Sequence, residues 1–232
     1  MPRSCSFGRI SLGLLAAIAL AACSTTSFGG THRIGSAPYE QGSGKVATES
    51  RSPGVFHAVS ASSGVEVFVS TGSSAGVSVT ADDNLLGHIT TDVRDGTLLV
   101  SVSGSIETDN RLKVAITTAS PLDAIGADAG ATVDTENLDA SDLAVRVGSG
   151  ATLRAGGTAR SLDLAVSTGA TADLRNVAST SAHVQLDTGS TAFITASERV
   201  SGNCTTGSTL HVAGGPTTFD VAADITSTVA RE

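Results

Sequence analysis

Tryptophan is absent from the 232-residue chain, tyrosine occurs once and phenylalanine six times. Sugar-gripping surfaces commonly rely on aromatic platforms. From Lys45 onward only Phe56, Phe68, Phe193 and Phe219 could serve, and most of these are expected in the core. Cysteine is as scarce, with three in all. Cys5 and Cys23 lie in or beside the leader segment described below, so no disulfide framework is expected and Cys204 reads as a buried structural thiol. Basic residues are outnumbered, 14 Lys and Arg against 22 Asp and Glu, a formal net charge of −8. That balance makes a poor surface for DNA, RNA or anionic lipid, and no nucleic-acid partner is expected. Helical periodicity of useful length is missing after the leader.

Metal and cofactor signatures are missing too. His57, His88, His183 and His211 are scattered, with no His-x-x-x-His or Cys-x-x-Cys pair, so no metal and no cofactor is expected. Asp82-Asp83-Asn84 lacks the later ligands of a calcium loop and reads as a turn cap. Gly42-Ser43-Gly44-Lys45 lacks the first glycine of a phosphate loop and is followed by Val46.

A repeat is present instead. Short turns centred on Gly130, Gly150, Gly169, Gly189 and Gly207 recur at spacings of 20, 19, 20 and 18 residues. Three residues before each glycine stand Ala127, Val147, Val166, Leu186 and Cys204; five before stand Ile125, Val145, Leu164, Val184 and Gly202. The residues between them are Gly126, Arg146, Ala165, Gln185 and Asn203, so most of these segments alternate with the period of two of a half-buried strand. A second, less apolar strand follows each turn, and each coil is expected to hold two strands and two turns. Threonine stands two places after all five glycines, at 132, 152, 171, 191 and 209, as a column of in-register stacked coils would have it. A period near twenty in fixed phase predicts an all-β, right-handed parallel β-helix or solenoid-like stack. An antiparallel meander with a hairpin at each glycine would share the alternation.

The first 22 residues carry Arg3 and Arg9, no acid, and an apolar run from Leu12 to Leu20, the layout of a secretory signal peptide. The run ends Leu20-Ala21-Ala22-Cys23, which resembles the lipobox of bacterial lipoproteins, with cleavage between Ala22 and Cys23 and lipid attachment at Cys23. An ordinary signal peptide with Cys23 incidental is the plainer alternative. Cleavage would leave 12 basic residues against 22 acidic ones. Attachment to the membrane would then come from acyl chains rather than a basic patch.

The expected organisation is residues 1–22 as lipoprotein signal peptide, 23–44 as lipidated Cys and flexible tether, 45–120 as an N-terminal β-strand region, and 121–232 as the Gly/Thr repeat solenoid with a C-terminal cap. Within 45–120, Arg94-Asp95-Gly96-Thr97 carries the Asp-Gly signal of a tight hairpin. Phe219-Asp220-Val221 and Ile225 to Val229 are expected to cover the last coil.

Phe56, Ser62-Ser63-Gly64-Val65-Glu66-Val67, Asp83-Asn84-Leu85-Leu86, Val93-Arg94-Asp95-Gly96-Thr97-Leu98 and Leu122-Asp123-Ala124-Ile125 before Gly-rich repeats together resemble the head GIN domain family. Its members are labelled autotransporter adhesins. The resemblance covers Lys45 to the C-terminus and implies a β-helical, repeat-rich domain on exported, often lipid-anchored bacterial proteins, with no established catalytic residues to carry over. No translocator barrel or trimeric membrane anchor is read before Glu232, which counts against autotransport.

The one set of residues with catalytic composition is the fourth place after each glycine: Asp134, Arg154, Asp173, Phe193 and His211. Asp134 and Asp173 would stand two rungs apart, about 9.6 Å between backbones, near the outer separation of an inverting glycosidase's carboxylates. Arg154 between them favours a polar surface ladder of compensating charges.

The expectation is therefore a non-enzymatic binding or structural module, adhesin-like, lipid-anchored to the bacterial cell membrane or outer membrane and facing the surface or periplasm. Its partners would be a cell-wall polymer, a glycan, an envelope protein or another copy of itself. The alternatives are a polysaccharide-active β-helix lyase or glycosidase and a self-assembling structural envelope subunit.

Overall fold

The computed structural model describes residues 39–232, so the signal segment and the Ala22–Cys23 cleavage and lipidation site lie outside the described residues. The strands are, in order, Glu40–Gln41 (β1), Val46–Arg51 (β2), Ala58–Ala61 (β3), Glu66–Thr71 (β4), Gly76–Asp82 (β5), Ile89–Arg94 (β6), Thr97–Val102 (β7), Ile106–Glu107 (β8) and Lys113–Thr118 (β9). Then follow Ala124–Ala127 (β10), Thr132–Val147 (β11), Thr152–Val166 (β12), Thr171–Leu186 (β13), Thr191–Cys204 (β14), Thr209–Ala213 (β15), Thr218–Ala223 (β16) and Thr228–Arg231 (β17). The described residues hold no α-helix, only a 3-10 turn at Leu86–His88. β1 and β8 pair with each other, and the other strands join in one 15-stranded sheet.

From β10 to β17 every ladder is parallel, which rules out the meander of hairpins. The chain winds as a β-solenoid whose repeat is the one in the sequence. Thr132, Thr152, Thr171, Thr191, Thr209 and Thr228 are each paired with the next, so the threonine column is a physical one. The inward columns stack in the same way: Val133, Leu153, Ala172, Ala192 and Leu210 on one side, Val147, Val166, Leu186 and Cys204 on another. All of these are buried. Alternation puts a side chain inside at every second position, and stacking places it about 4.8 Å from its counterpart in the next coil. Each buried Leu or Val so placed contributes roughly 1.5–3 kcal/mol of burial.

Each coil differs from the expected two strands. The ladder between β11 and β12 runs in three stretches, beginning at Thr132, Leu138 and Asp142, so the middle of the repeat is a short paired segment rather than a bare turn. The register shifts fall at its bends, between Thr135 and Leu138 in β11 and between Leu174 and Ala178 in β13. There a residue can be added or lost without turning the neighbouring stretches inside out, which is how spacings of 18 to 20 coexist in one stack.

The glycine turns stack too. At Ser149-Gly150 and Thr168-Gly169 both residues have positive φ (47° and 70°, 53° and 68°), and the turn closes through Ala151 N to Gly148 O and Ala170 N to Ser167 O. In a hairpin such a turn would pair its own flanks. Here the glycine N–H donates onward instead, Gly150 to Thr168 O at 3.0 Å and Gly169 to Thr188 O at 2.9 Å, and the flanking strands pair with coils on either side.

Ser63-Gly64, with φ of 64° and 71°, is a turn of the same kind. It joins β3 and β4, which lie parallel to β10 and to the start of β11, so strands on both sides of residue 120 belong to one stack. β7 and β9 lie parallel to β3 and β4 in turn, although they follow them in sequence. β2, β5 and β6 add antiparallel pairings at that end. The β6–β7 pair is the Asp-Gly hairpin expected from sequence. At the other end the tail covers the preceding coil by forming one more, β16 on β14 and β17 on β15.

Candidate functional site

The outward columns of the stack hold most of its charged residues and Phe68. Continuous pairing carries one of them from β4 to β15: Phe68, Asp134, Arg154, Asp173, Phe193 and His211, one per rung. The inward neighbours of each, such as Val67 and Val69 or Leu153 and Ala155, are buried, and period-two geometry then turns these side chains to solvent. Phe68, one of the four phenylalanines of which most are expected in the core, is 44% exposed. Its signal was the alternation of Val65, Val67 and Val69, which puts residue 68 on the opposite face.

Asp134, Arg154 and Asp173 stand on successive rungs, as the repeat phase expected. Arg154 Nη1 lies 3.6 Å from Asp134 Oδ1, an ion pair without a hydrogen bond. Asp173 is committed elsewhere: Arg175 forks onto it, Nε to Oδ1 at 2.9 Å and Nη2 to Oδ2 at 2.6 Å. These charge-assisted bonds hold the Asp173 carboxyl below its usual range. A general acid must keep its proton at working pH, and Asp173 gives its up more readily than a free aspartate. The Arg175 guanidinium also sits 4.7 Å from the centre of the Phe193 ring, and His211 stacks on Phe193 at 4.7 Å and 15°. His211 Nδ1 in turn meets Glu232 Oε1 at 3.3 Å. From Asp173 to Glu232 the column is thus a packed run of paired groups.

Toward β4 it is open. Asp134, Glu136, Arg154, Gly156, Asp173 and Asn176 line a shallow hollow of about 210 Å³. A second hollow, about 430 Å³, continues from it past Asp134 and Glu136 to Phe68 and Asn137. Gly156, at a bend, adds no side chain to the lining of the first hollow.

The remaining polar candidates are structural. Asp82 is buried and accepts from Thr108 Oγ1 (2.5 Å) and Asn110 Nδ2 (2.6 Å). Among the described residues no group of His, Cys, Asp and Glu is arranged to hold a metal ion. Cys204 is fully buried in its column, where desolvation pushes the thiol pKa up and away from reactivity.

A family model described as "Putative auto-transporter adhesin, head GIN domain" matches residues 55–216, most of the solenoid just described. The chain belongs to the head GIN domain family. The head GIN fold is shared with solved structures at low identity. A putative adhesin from Bacteroides fragilis superimposes with a TM-score of 0.68 at 18% identity, covering 83% of this chain and 99% of that one. Another from Parabacteroides merdae gives 0.56 at 16%, covering 84% and 100%. A structure titled a putative lipid binding protein, from Parabacteroides distasonis, gives 0.50 at 13%, again covering 84% and 100%. No curated protein matches the chain. At these identities the likeness carries the head GIN fold, and the chemistry has to be argued from the residues.

Proposed function

We propose that this head GIN domain is a non-catalytic, adhesin-like binding module of the bacterial cell envelope, carried on a lipid attached at Cys23. The observation that supports it is the outward column: its polar groups form a regular row on a rigid ladder, and Asp173, one half of the Asp134 and Asp173 carboxylate pair, is bound by Arg175. Such a row is a surface for contact, and the stacked coils keep it stiff. The family's adhesin label and the names of the Bacteroides fragilis and Parabacteroides merdae structures agree with that use.

Two measurements test the reading. In cells, Cys23→Ser is expected to move the protein from the membrane fraction to the soluble one; unchanged membrane association would overturn the anchor. In vitro, the full chain purified in detergent is presented to glycans, wall polymers and envelope proteins with product analysis of every hit. Retention without product is expected. Product whose release stops in Asp134→Asn or Asp173→Asn would make the protein a polysaccharide-active enzyme. Silence throughout, with sedimentation as an oligomer, would make it a self-assembling subunit.

A further inference from the structure

We infer that the two joined hollows between Phe68 and Asn176 form a binding groove for a neutral pyranose glycan, lying along the solenoid axis across Phe68, Asp134 and Arg154. The inference rests on the binding-module reading and gives it a site and a ligand class.

The groove combines what a sugar ring asks for. Phe68 offers an exposed aromatic face at one end, to which the C–H side of a pyranose can stack. One rung on, Asp134 presents carboxylate oxygens, acceptors for a pair of neighbouring hydroxyls. Another rung on, Arg154 is 59% exposed in its side chain and meets Asp134 only at 3.6 Å, which leaves its guanidinium donors free to reach a hydroxyl or ring oxygen. Among the described residues, neither Asp134 nor the Arg154 side chain makes a hydrogen bond, in contrast with Asp173 and Arg175 beside them. Gly156 adds no side chain to the Arg154 end of the groove.

The chemistry also discriminates. Asp134 and Glu136, which line both hollows, outnumber Arg154 in the groove and, on a chain of net charge −8, oppose anionic polymers. A peptide adding as a strand needs a free sheet edge, whereas Phe68, Asp134 and Arg154 project from strands paired on both sides. A row of one functional group per rung, about 4.8 Å apart, suits a polymer extended along the stack.

The test uses the full chain in detergent against neutral oligosaccharides of glucose, galactose, mannose and N-acetylglucosamine, and against polyuronates, by array and then titration calorimetry. At least one neutral series is expected to bind and the polyuronates to stay at background. Phe68→Ala and Asp134→Ala are each expected to weaken binding at least about tenfold, a loss of 1.4 kcal/mol. Arg160→Ala, elsewhere on the coil, is expected to leave affinity unchanged, with all three variants melting like the parent. Neutral-glycan binding that survives both groove substitutions overturns the site. Retention of wall polymer or envelope protein with no neutral glycan bound overturns the ligand class and leaves the module reading standing. Failure of every probe overturns both.

Discussion

At the residue scale the turns carry the most instructive mismatch. Glycine marks them because its φ is positive, and that much is legible. The preceding residue is also left-handed, at Ala129, Ser149, Thr168, Thr188 and Thr206, with φ between 47° and 56°. None is Asn or Asp, the residues that announce such a conformation, so the full turn type was not readable from composition. Threonine, β-branched, is poorly suited there. Thr168→Asn keeps the backbone bond from Gly150 N to Thr168 O and is expected to raise stability by about 0.5–1 kcal/mol, read as a higher urea midpoint at unchanged slope. Gly202 offers the opposite sign. It stands in the apolar column between more ordinary neighbours, yet its φ is 139° and a Cβ would fall 1.8 Å from Val184 O. Gly202→Ala must displace the backbone and is expected to cost more than about 3 kcal/mol. A cost near that of an exposed glycine, about 1 kcal/mol, would show that the coil yields there.

At the scale of elements, local pattern found the strands of the repeat but not the partners of the strands before it. β3 and β4 form a coil around Ser63-Gly64 with Glu66 where threonine stands later, and β7 and β9 stack below them out of chain order. Neither leaves a periodic trace. The same holds for Asp82-Asp83-Asn84, read as a turn cap. Asp83 accepts from Ser43 Oγ at 2.5 Å, and Asn84 accepts from Ser43 N at 2.9 Å and donates to Gln41 O at 2.9 Å. These contacts span some forty residues and fasten β1 to the solenoid. His88 completes the fastening, with Nε2 2.8 Å from Glu40 Oε2 and Nδ1 2.8 Å from Ser103 O. The Ser103 carbonyl, then Glu40, raise its pKa above the usual 6.5, since both accept from the imidazolium. A raised pKa contributes stability that is complete below 6.5 and lost as pH climbs through the folded value. Amide protection at Glu40 to Gly42, corrected for intrinsic exchange, is therefore expected to fall on going from about pH 6 to pH 8. In His88→Gln it should be low and flat. A pH response retained in that variant would assign the effect to another group.

For the whole molecule, a stack in which each coil touches only its neighbours has stability that depends on position. β12 is paired on both sides along its length, by β11 and β13. β16 is paired only with β14 and β17 only with β15, and Phe219, Val221 and Val229 there stay half-buried. The last turn has no glycine of the repeat kind. Thr226 stands in its place, and Asp224, two residues before, accepts from Thr206 N at 2.6 Å, Thr226 N at 3.0 Å and Thr226 Oγ1 at 2.8 Å. The backbone bond from Thr206, then the hydroxyls of Ser227 and Thr226, hold this carboxyl far below its ordinary range. A depressed pKa contributes stability that is present above the unfolded value of about 3.9 and lost as pH falls through the folded one. Hydrogen exchange at neutral pH should accordingly be slowest in β12 and β13 and fastest in β16 and β17. Acidification below about pH 4 should open the last coil before the centre of the stack responds. Asp224→Asn is expected to lower protection of β16 and β17 at neutral pH and to remove that selective acid response. Uniform protection from β11 to β17, or acid opening that begins at β12, would mean that the stack unfolds as one cooperative body and that its terminal coil is held by more than its single neighbour.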